Sequence, residues 1–158
     1  EMYRHNSPSK IVSFDTFEGS FPRMQTFEKE GVEDLLASHD INAYDNLLWV
    51  VEELGLSKRV EVIKGDIVET LAAYLNRNRG FRINLLHCDL DAYEPTLETL
   101  KLAWPRVVRG GIVVFDEYAD PRWGESDAVD KFFATLDNPP RLQSLAIAPT
   151  PTAYCVKE

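Results

Sequence analysis

Two patterns of apolar residues alternate along this chain. In some segments the apolar residues form a short continuous run, and in others they recur every three to four residues. The short runs are typical of strands and lie at residues 10–14, 60–63, 83–88 and 112–115. The wider spacing predicts helices at residues 42–54, 67–76, 94–104 and 127–136. Two more strands, 142–147 and 153–157, are separated by a short proline-containing connection, so we expect them to pair antiparallel. This order predicts an α/β, Rossmann-like doubly wound sheet, mostly parallel with an antiparallel end.

Acidic residues follow two of the predicted strands directly. Asp89 and Asp91 come after the third strand, and Asp116 and Glu117 come after the fourth. A right-handed crossover makes these strands parallel, so both clusters should emerge at the carboxyl edge, where open α/β sheets bind ligands. Four carboxylates there repel one another unless a divalent cation binds or their pKa values rise. Helix capping explains any single one of them equally well, but not all four together.

Composition narrows the function further. The 158 residues carry a net charge of −9 and are 44% hydrophobic, which suits one domain with a real core. Without a basic run, nucleic acid is not an expected partner. No segment is apolar enough to cross a membrane and no signal peptide is evident, so a cytoplasmic location is expected. Cys88 and Cys155 lie in apolar runs and are predicted to be reduced core residues.

Four motifs occur in a fixed order along the chain. They are Phe14-Asp15-Thr16-Phe17-Glu18-Gly19, Lys64-Gly65-Asp66, Cys88-Asp89-Leu90-Asp91-Ala92-Tyr93-Glu94-Pro95-Thr96 and Gly110-Gly111-Ile112-Val113-Val114-Phe115-Asp116-Glu117-Tyr118. Together they resemble the macrocin O-methyltransferase family of S-adenosylmethionine-dependent sugar O-methyltransferases, over roughly residues 10–133. The resemblance implies a class I methyltransferase fold, S-adenosylmethionine and Mg²⁺ as cofactors, and a sugar or glycoside as substrate.

The chain departs from this family at its start. The family fold begins with a strand and a glycine-rich turn that cradles the methionine part of the cofactor. Nothing similar precedes Ile11. We therefore expect residues 1–158 to form a single methyltransferase-like domain that lacks this first strand and turn, either as a fragment or with its N-terminal part not included.

The resemblance assigns three residues to cofactor binding. Asp15 ends the family's second strand, where a carboxylate accepts hydrogen bonds from the two ribose hydroxyls. Gly65 lets the backbone approach the adenine, and Asp66 lies near the exocyclic amine of that ring. A turn-forming role for Asp15 and a helix-capping role for Asp66 are the alternatives that need no ligand.

The resemblance also assigns the chemistry. Asp89, Asp116 and Glu117 match the metal ligands, although the family more often has aspartate at the last position. Asp91 matches the general base that takes the proton of the sugar hydroxyl, with a ligand-orienting role as the alternative. Strand alternation places His87 on the same face as Asp89, so His87 is a second catalytic candidate, and a buried, hydrogen-bonded core histidine is the simpler account.

Two other function classes stay open at this point. Asp89-Leu90-Asp91 has the form of a nucleotide-sugar metal motif, which would suit a metal-dependent glycosyltransferase. The absent glycine-rich turn would suit a truncated, non-catalytic binding module. Binding of S-adenosylhomocysteine rather than a nucleoside diphosphate separates the first alternative from a methyltransferase. Neither the acceptor hydroxyl nor the oligomeric state follows from the sequence, and a homo-oligomer is compatible with it.

Overall fold

Strands and helices alternate along the chain, as the apolar pattern predicts. The structure is a computed structural model that describes residues 9–18, 23–29, 43–144 and 152–158. The strands are β1 (Ile11–Asp15), β2 (Val60–Lys64), β3 (Ile83–Cys88), β4 (Val107–Phe115), β5 (Gln143–Ser144) and β6 (Ala153–Val156). The helices are α1 (Ala43–Glu53), α2 (Ile67–Arg77), α3 (Tyr93–Ala103) and α4 (Glu125–Phe133). A 3₁₀ turn, Trp104–Arg106, links α3 to β4.

The strands form two sheets within these residues. β1 pairs in parallel with β2, and the second sheet has the order β3-β4-β6-β5. β3 and β4 are parallel, whereas β6 is antiparallel to both β4 and β5. The α/β class, the parallel β3–β4 pair and the antiparallel end are confirmed. The predicted continuation of the fifth strand to residue 147 lies outside the described residues.

β4 begins five residues before its predicted start at residue 112, because the glycine pair belongs to the strand. Val107 pairs with Ile83, and the ladder then shifts register before Ile112 pairs with Leu85. Gly110 has a φ of +77° inside this irregular stretch, a value that suits glycine. The bulged start still lets β4 end beside β3, so the two acidic clusters come out side by side.

The main core lies on one face of the four-stranded sheet, under α2, α3 and α4. Its members are buried apolar side chains from those helices and from the facing strands, including Leu71, Leu100, Val113, Phe115, Val129, Phe133 and Cys155. Helix α1 contributes none of them and contacts β2 instead. None of the described helices is both long and apolar enough to span a lipid bilayer.

The opposite face of this sheet is open to solvent among the described residues. Leu85, Ile112 and Val156 are cross-strand neighbours and are 62%, 40% and 37% exposed. Continuous apolar runs such as 83–88 and 112–115 predict strands that are buried on both faces. That prediction is wrong for β3 and β4, since one face is exposed among the described residues. Continuous apolar runs show that a strand is apolar on both sides, but the packing of the neighbouring elements decides which side is covered.

Both cysteines are free and buried, which confirms the predicted reduced core residues. Burial raises the pKa of the Cys155 thiol to about 11 and also raises that of Cys88. Since the thiolate is the reactive form, we expect a thiol reagent such as dithionitrobenzoate to react very slowly with the folded protein at pH 8. Both thiols should react at once in denaturant. Rapid reaction of either thiol in the folded state would contradict this placement.

Candidate active site

The three predicted cofactor-binding residues line one cleft. Asp15, Gly65 and Asp66 lie at the carboxyl ends of β1 and β2, and Asp89 lies at the carboxyl end of β3 on the same cleft wall. The cleft therefore spans the carboxyl edges of both sheets. A cofactor in it would reach from the β1–β2 turns to the first acidic cluster.

Asp15 closes its own turn and still faces the cleft. One carboxylate oxygen accepts a hydrogen bond from the Phe17 N–H at 2.7 Å, and the backbone carbonyl accepts one from the Gly65 N–H at 2.9 Å. The alternative reading of Asp15 as a turn residue is thus correct for one oxygen. A carboxylate has two oxygens and about four acceptor positions, so the turn leaves capacity for ribose hydroxyls.

Gly65 and Asp66 form the turn from β2 into α2. Gly65 has a φ of +135°, which an L-residue with a side chain rarely adopts, so the turn itself requires glycine. Asp66 is the N-cap of α2 and accepts a hydrogen bond from the Val68 N–H at 2.9 Å. The capping alternative for Asp66 is therefore present in the structure.

The second oxygen of Asp66 is also engaged, by a residue that the sequence did not single out. Arg23 Nε lies 2.6 Å from that oxygen, and Arg23 Nη1 lies 2.7 Å from a carboxylate oxygen of Glu94. The hydrogen bonds to Asp66 and Glu94 raise the pKa of the Arg23 guanidinium. An adenine amine approaching Asp66 would thus have to compete with Arg23.

The two acidic clusters lie next to each other. The Asp116 N–H donates a 3.1 Å hydrogen bond to the Cys88 carbonyl, which extends the β3–β4 pairing to the start of both clusters. His87 Nε2 lies 3.5 Å from an Asp116 carboxylate oxygen. The His87 side chain is 53% exposed, so the expectation of a buried core histidine is wrong. His87 lies on the face of β3 that is exposed to solvent, the same face as Leu85.

Asp91 occupies a turn and not the end of a strand. β3 stops at Cys88, and Asp91 has a φ of +55° in the left-handed region, which aspartate tolerates better than most residues. Strand alternation therefore does not set its direction. Burial is the largest cause that raises the pKa of Asp91 to about 7, and the charges of Asp89, Glu117 and Asp116 add to it. The turn thus brings the carboxyl group of Asp91 into the cluster.

Glu117 is held through its backbone by another buried acid. Its N–H donates a 3.0 Å hydrogen bond to Glu125, the first residue of α4, which is fully buried. Burial is also the main cause that raises the pKa of Glu125 to about 8, and the pKa of Glu117 is raised for the same reason. One carboxylate oxygen of each is buried without a hydrogen-bond partner. Each of these oxygens lacks a donor, so a proton or a cation beside it would satisfy it.

Asp120 and Arg122 complete the loop after the second cluster. Arg122 forms a two-pronged contact with the Asp120 carboxylate, with the shortest distance 2.6 Å. That hydrogen bonding lowers the pKa of Asp120 to about 2. The sequence analysis missed Glu125 and Asp120 as members of the site, because only their tertiary position relates them to it.

The donor chemistry suits Mg²⁺, but the geometry is not that of a closed cage. All candidate ligands are carboxylates, the type that Mg²⁺ prefers. Among the described residues, no group of three His, Cys, Asp or Glu side chains is arranged to hold a metal ion. The predicted convergence of Asp89, Asp116 and Glu117 on one point is thus not found. The residues fit an ion held by one or two carboxylates, with water and substrate in the other positions.

Comparisons with known proteins agree with this fold. A methyltransferase-domain family model matches residues 1–118. Two structures of CalS11, a calicheamicin methyltransferase, have TM-scores of 0.68 and 0.64 with 28% and 32% identity. The second is described as an apo TDP-rhamnose 3'-O-methyltransferase. The O-methyltransferase NovP has a TM-score of 0.73 at 20% identity, a level that supports the fold alone. A search of curated proteins found no match.

These likenesses cover most of this chain but not most of the relatives. The alignments span 93% of the chain in both CalS11 comparisons and 96% in the NovP comparison. The chain in turn spans 60%, 58% and 61% of the length of those proteins. The family match and the fold agree, and the chain belongs to the methyltransferase-domain family.

Proposed function

We propose that this protein transfers a methyl group from S-adenosylmethionine to a hydroxyl group of a sugar or glycoside. The observation that carries the proposal is the adjacency of the cleft and the acidic cluster, which share Asp89. The likeness to CalS11, described as acting on TDP-rhamnose, supports a nucleotide sugar as the acceptor class. The macrocin O-methyltransferase resemblance supports a sugar hydroxyl as the acceptor, on a free sugar or on a glycoside.

The cofactor would lie along the cleft with its ribose at Asp15. A carboxylate that accepts from both ribose hydroxyls holds the nucleoside in one orientation. Gly65 presents backbone without a side chain beside the expected adenine position. Asp66 accepts from its helix through one oxygen and from Arg23 through the other, so the adenine amine would share an oxygen with one of these donors. The main binding contact we assign is therefore the one with Asp15.

The reaction requires a deprotonated acceptor oxygen. As the oxygen–carbon bond forms, the carbon–sulfur bond of the sulfonium breaks, and its electron pair stays on sulfur in S-adenosylhomocysteine. The hydroxyl proton passes to the carboxylate of Asp91. A base with a pKa near neutrality is suited to this transfer. Alignment of oxygen, carbon and sulfur supplies much of the remaining rate enhancement.

Mg²⁺ is the second cofactor that we propose, held by Asp89 and Asp116, with Glu117 beside them. When bound, the ion supplies positive charge that lowers the pKa of a nearby hydroxyl. Glu117 is one methylene longer than the aspartate usual in the resembling family, and its backbone is held by Glu125. Direct ligation by Glu117 is accordingly the least supported of the three contacts.

The two competing functions are less well supported. A glycosyltransferase that uses Asp89-Leu90-Asp91 as its metal motif would not explain the family match or the cleft beside Asp15. A non-catalytic binding module has no use for a partly exposed cluster of like-charged carboxylates, which is costly to maintain without a ligand. Formation of S-adenosylhomocysteine from S-adenosylmethionine, with TDP-rhamnose as the probe acceptor, tests the proposal directly. Release of a nucleoside diphosphate from a sugar nucleotide, with transfer of its sugar to an acceptor, would instead support the glycosyltransferase.

Asp15→Ala should weaken S-adenosylhomocysteine binding by roughly tenfold to a hundredfold. The change removes a charged acceptor from the ribose hydroxyls. The expected net loss is that of one hydrogen bond to a charged group, about 1.5–3 kcal/mol, because water can hydrogen-bond the hydroxyls in its place. Isothermal titration calorimetry of the protein with S-adenosylhomocysteine measures the effect. Asp137→Ala is the matched control, because Asp137 is also exposed and lies outside the residues that line the cleft. Equal affinity in both variants would refute the ribose contact.

A further inference from the structure

A buried carboxylate outside all predicted motifs joins the two acidic clusters. Glu28 is 0% exposed and belongs to residues 23–29, which we call the Glu28 strap. The carboxylate accepts hydrogen bonds from the backbone N–H groups of Gln25 at 2.6 Å, Tyr93 at 2.8 Å and Gly124 at 3.0 Å. Its partners Tyr93 and Gly124 are 65 and 96 residues away in the sequence.

These two distant partners are the starts of helices. Tyr93 is the first residue of α3, and its N-cap, Ala92, makes no side-chain cap hydrogen bond. Gly124 is the N-cap of α4 and likewise makes none. The first N–H groups of a helix lack internal partners, and a negative charge near them is favourable. One oxygen of Glu28 therefore serves as a shared cap for both helices.

Each of these helices starts directly after one half of the site. Asp89 and Asp91 lead into α3, and the loop that begins with Asp116 and Glu117 leads into α4. The shared oxygen of Glu28 thus fixes the distance between the two loops that carry the carboxylates. Together with the strand pairing below the loops and the packing of α3 on α4, this contact joins their far ends.

The fit around this oxygen is tight. A Cβ atom added to Gly124 would collide with the same Glu28 oxygen and would lie 2.6 Å from Tyr93 Cβ. Glycine is therefore required at position 124 because Glu28 and Tyr93 approach it closely. Its backbone conformation does not require glycine, since any residue can adopt a φ of −87°. Trp123, next to it, is only 6% exposed. The Glu28 carboxylate therefore lies in a closely packed space that leaves no room for an additional carbon atom at position 124.

We propose that Glu28 is a positioning residue for methyl transfer: its carboxylate ties the start of α3 to the start of α4 and so sets the spacing of the two acidic clusters. Glu28 touches neither substrate nor cofactor in this role. The inference rests on the proposed function for its effect on turnover. Its effect on the two loops does not depend on any activity.

Two conservative variants of Glu28 separate the effect of side-chain length from the effect of its negative charge. Glu28→Gln keeps the length of the side chain and one carbonyl oxygen, so the amide can still accept from both Tyr93 and Gly124 while the Gln25 bond is lost. Glu28→Asp keeps the charge but is one methylene shorter, so it cannot reach both helix starts at once. A surface variant, Glu98→Gln, removes a carboxylate that pairs only with Lys101 on the same helix and serves as the control.

The first measurement is amide hydrogen exchange by NMR. In Glu28→Asp, exchange of the Tyr93 or Gly124 amide should accelerate by about tenfold or more, on the scale of a lost hydrogen bond to a charged group. Amides in α2 should be unchanged, and in Glu28→Gln both reporters should keep most of their protection. Unchanged protection of both amides in Glu28→Asp would contradict the proposed link between the two helix starts, whether or not the protein has activity.

The second measurement is turnover. Glu28→Asp should lower kcat by about 10- to 100-fold, the scale seen when groups that orient active-site ligands are changed, while S-adenosylhomocysteine affinity stays within about threefold. Glu28→Gln should recover most of kcat, and Glu98→Gln should match the unmodified protein. A full kcat in Glu28→Asp, or a larger loss in Glu28→Gln than in Glu28→Asp, would show that charge and not reach matters and would overturn the proposal. If the unmodified protein transfers no methyl group, the proposed function is wrong. The hydrogen-exchange result would still decide whether Glu28 links the start of α3 to the start of α4.

Discussion

Asp91→Asn should lower turnover by at least about 10²-fold while S-adenosylhomocysteine still binds. The amide has the shape of the carboxylate but cannot accept the hydroxyl proton, and loss of a general base typically costs about 10²–10⁴-fold. Burial and three neighbouring carboxylates raise the pKa of Asp91 to about 7, which suits it to take a proton near neutrality. The pKa of Glu125 is also raised, to about 8, but Glu125 is fully buried whereas Asp91 is only partly buried. Steady-state formation of S-adenosylhomocysteine with TDP-rhamnose as acceptor measures the change.

The matched comparison is His87→Gln. His87 is half exposed and lies beside Asp116, so it is the other candidate base, and we expect its loss to change turnover only a few-fold. Thermal unfolding of both variants checks that the left-handed turn at Asp91 is intact, since asparagine also tolerates that conformation. Near-normal turnover in Asp91→Asn together with a large loss in His87→Gln would transfer the role of base to His87.

Removal of divalent metal should abolish turnover, and Asp116→Asn should reduce it by at least about 10²-fold at ordinary Mg²⁺ concentrations. A Lewis-acid metal contributes several kcal/mol to stabilising developing charge, and each 1.36 kcal/mol corresponds to tenfold in rate. Asp116 is the candidate ligand most firmly placed by the backbone, through its N–H bond to the Cys88 carbonyl. Turnover in excess chelator, and its recovery on addition of Mg²⁺, measures the first effect.

The second effect needs a test that separates metal binding from folding. Raising Mg²⁺ should partly restore the Asp116→Asn variant, because the remaining carboxylates still attract the ion. Asp137→Asn removes one exposed carboxylate outside the cluster and should behave as the unmodified protein. Full activity in excess chelator would make this a metal-independent methyltransferase, with the acidic cluster acting on protons alone.

Local pattern was sufficient for the elements and for the edge at which the chemistry lies. The run of residues 83–88 coincides with β3, and the predicted helices begin and end within a few residues of the observed ones. The family resemblance assigned Asp15, Gly65 and Asp66 to one cofactor site, and in the structure all three line one cleft. Strand ends are readable in this way because apolar periodicity is a property of consecutive residues, and parallel strands bring their carboxyl ends to one edge.

Tertiary structure decided how those residues are used. Asp66 is paired with Arg23, Asp91 is directed by a left-handed turn, and one face of β3 and β4 is exposed. The capping of α3 and α4 was also not readable locally, because the expected N-cap side chains are absent and a glutamate far away in the sequence replaces them. Such contacts depend on which distant segments pack together. The sequence by itself thus determined which chemical groups reach the edge of the sheet, while the fold decided their partners, burial and spacing, because those follow from long-range packing.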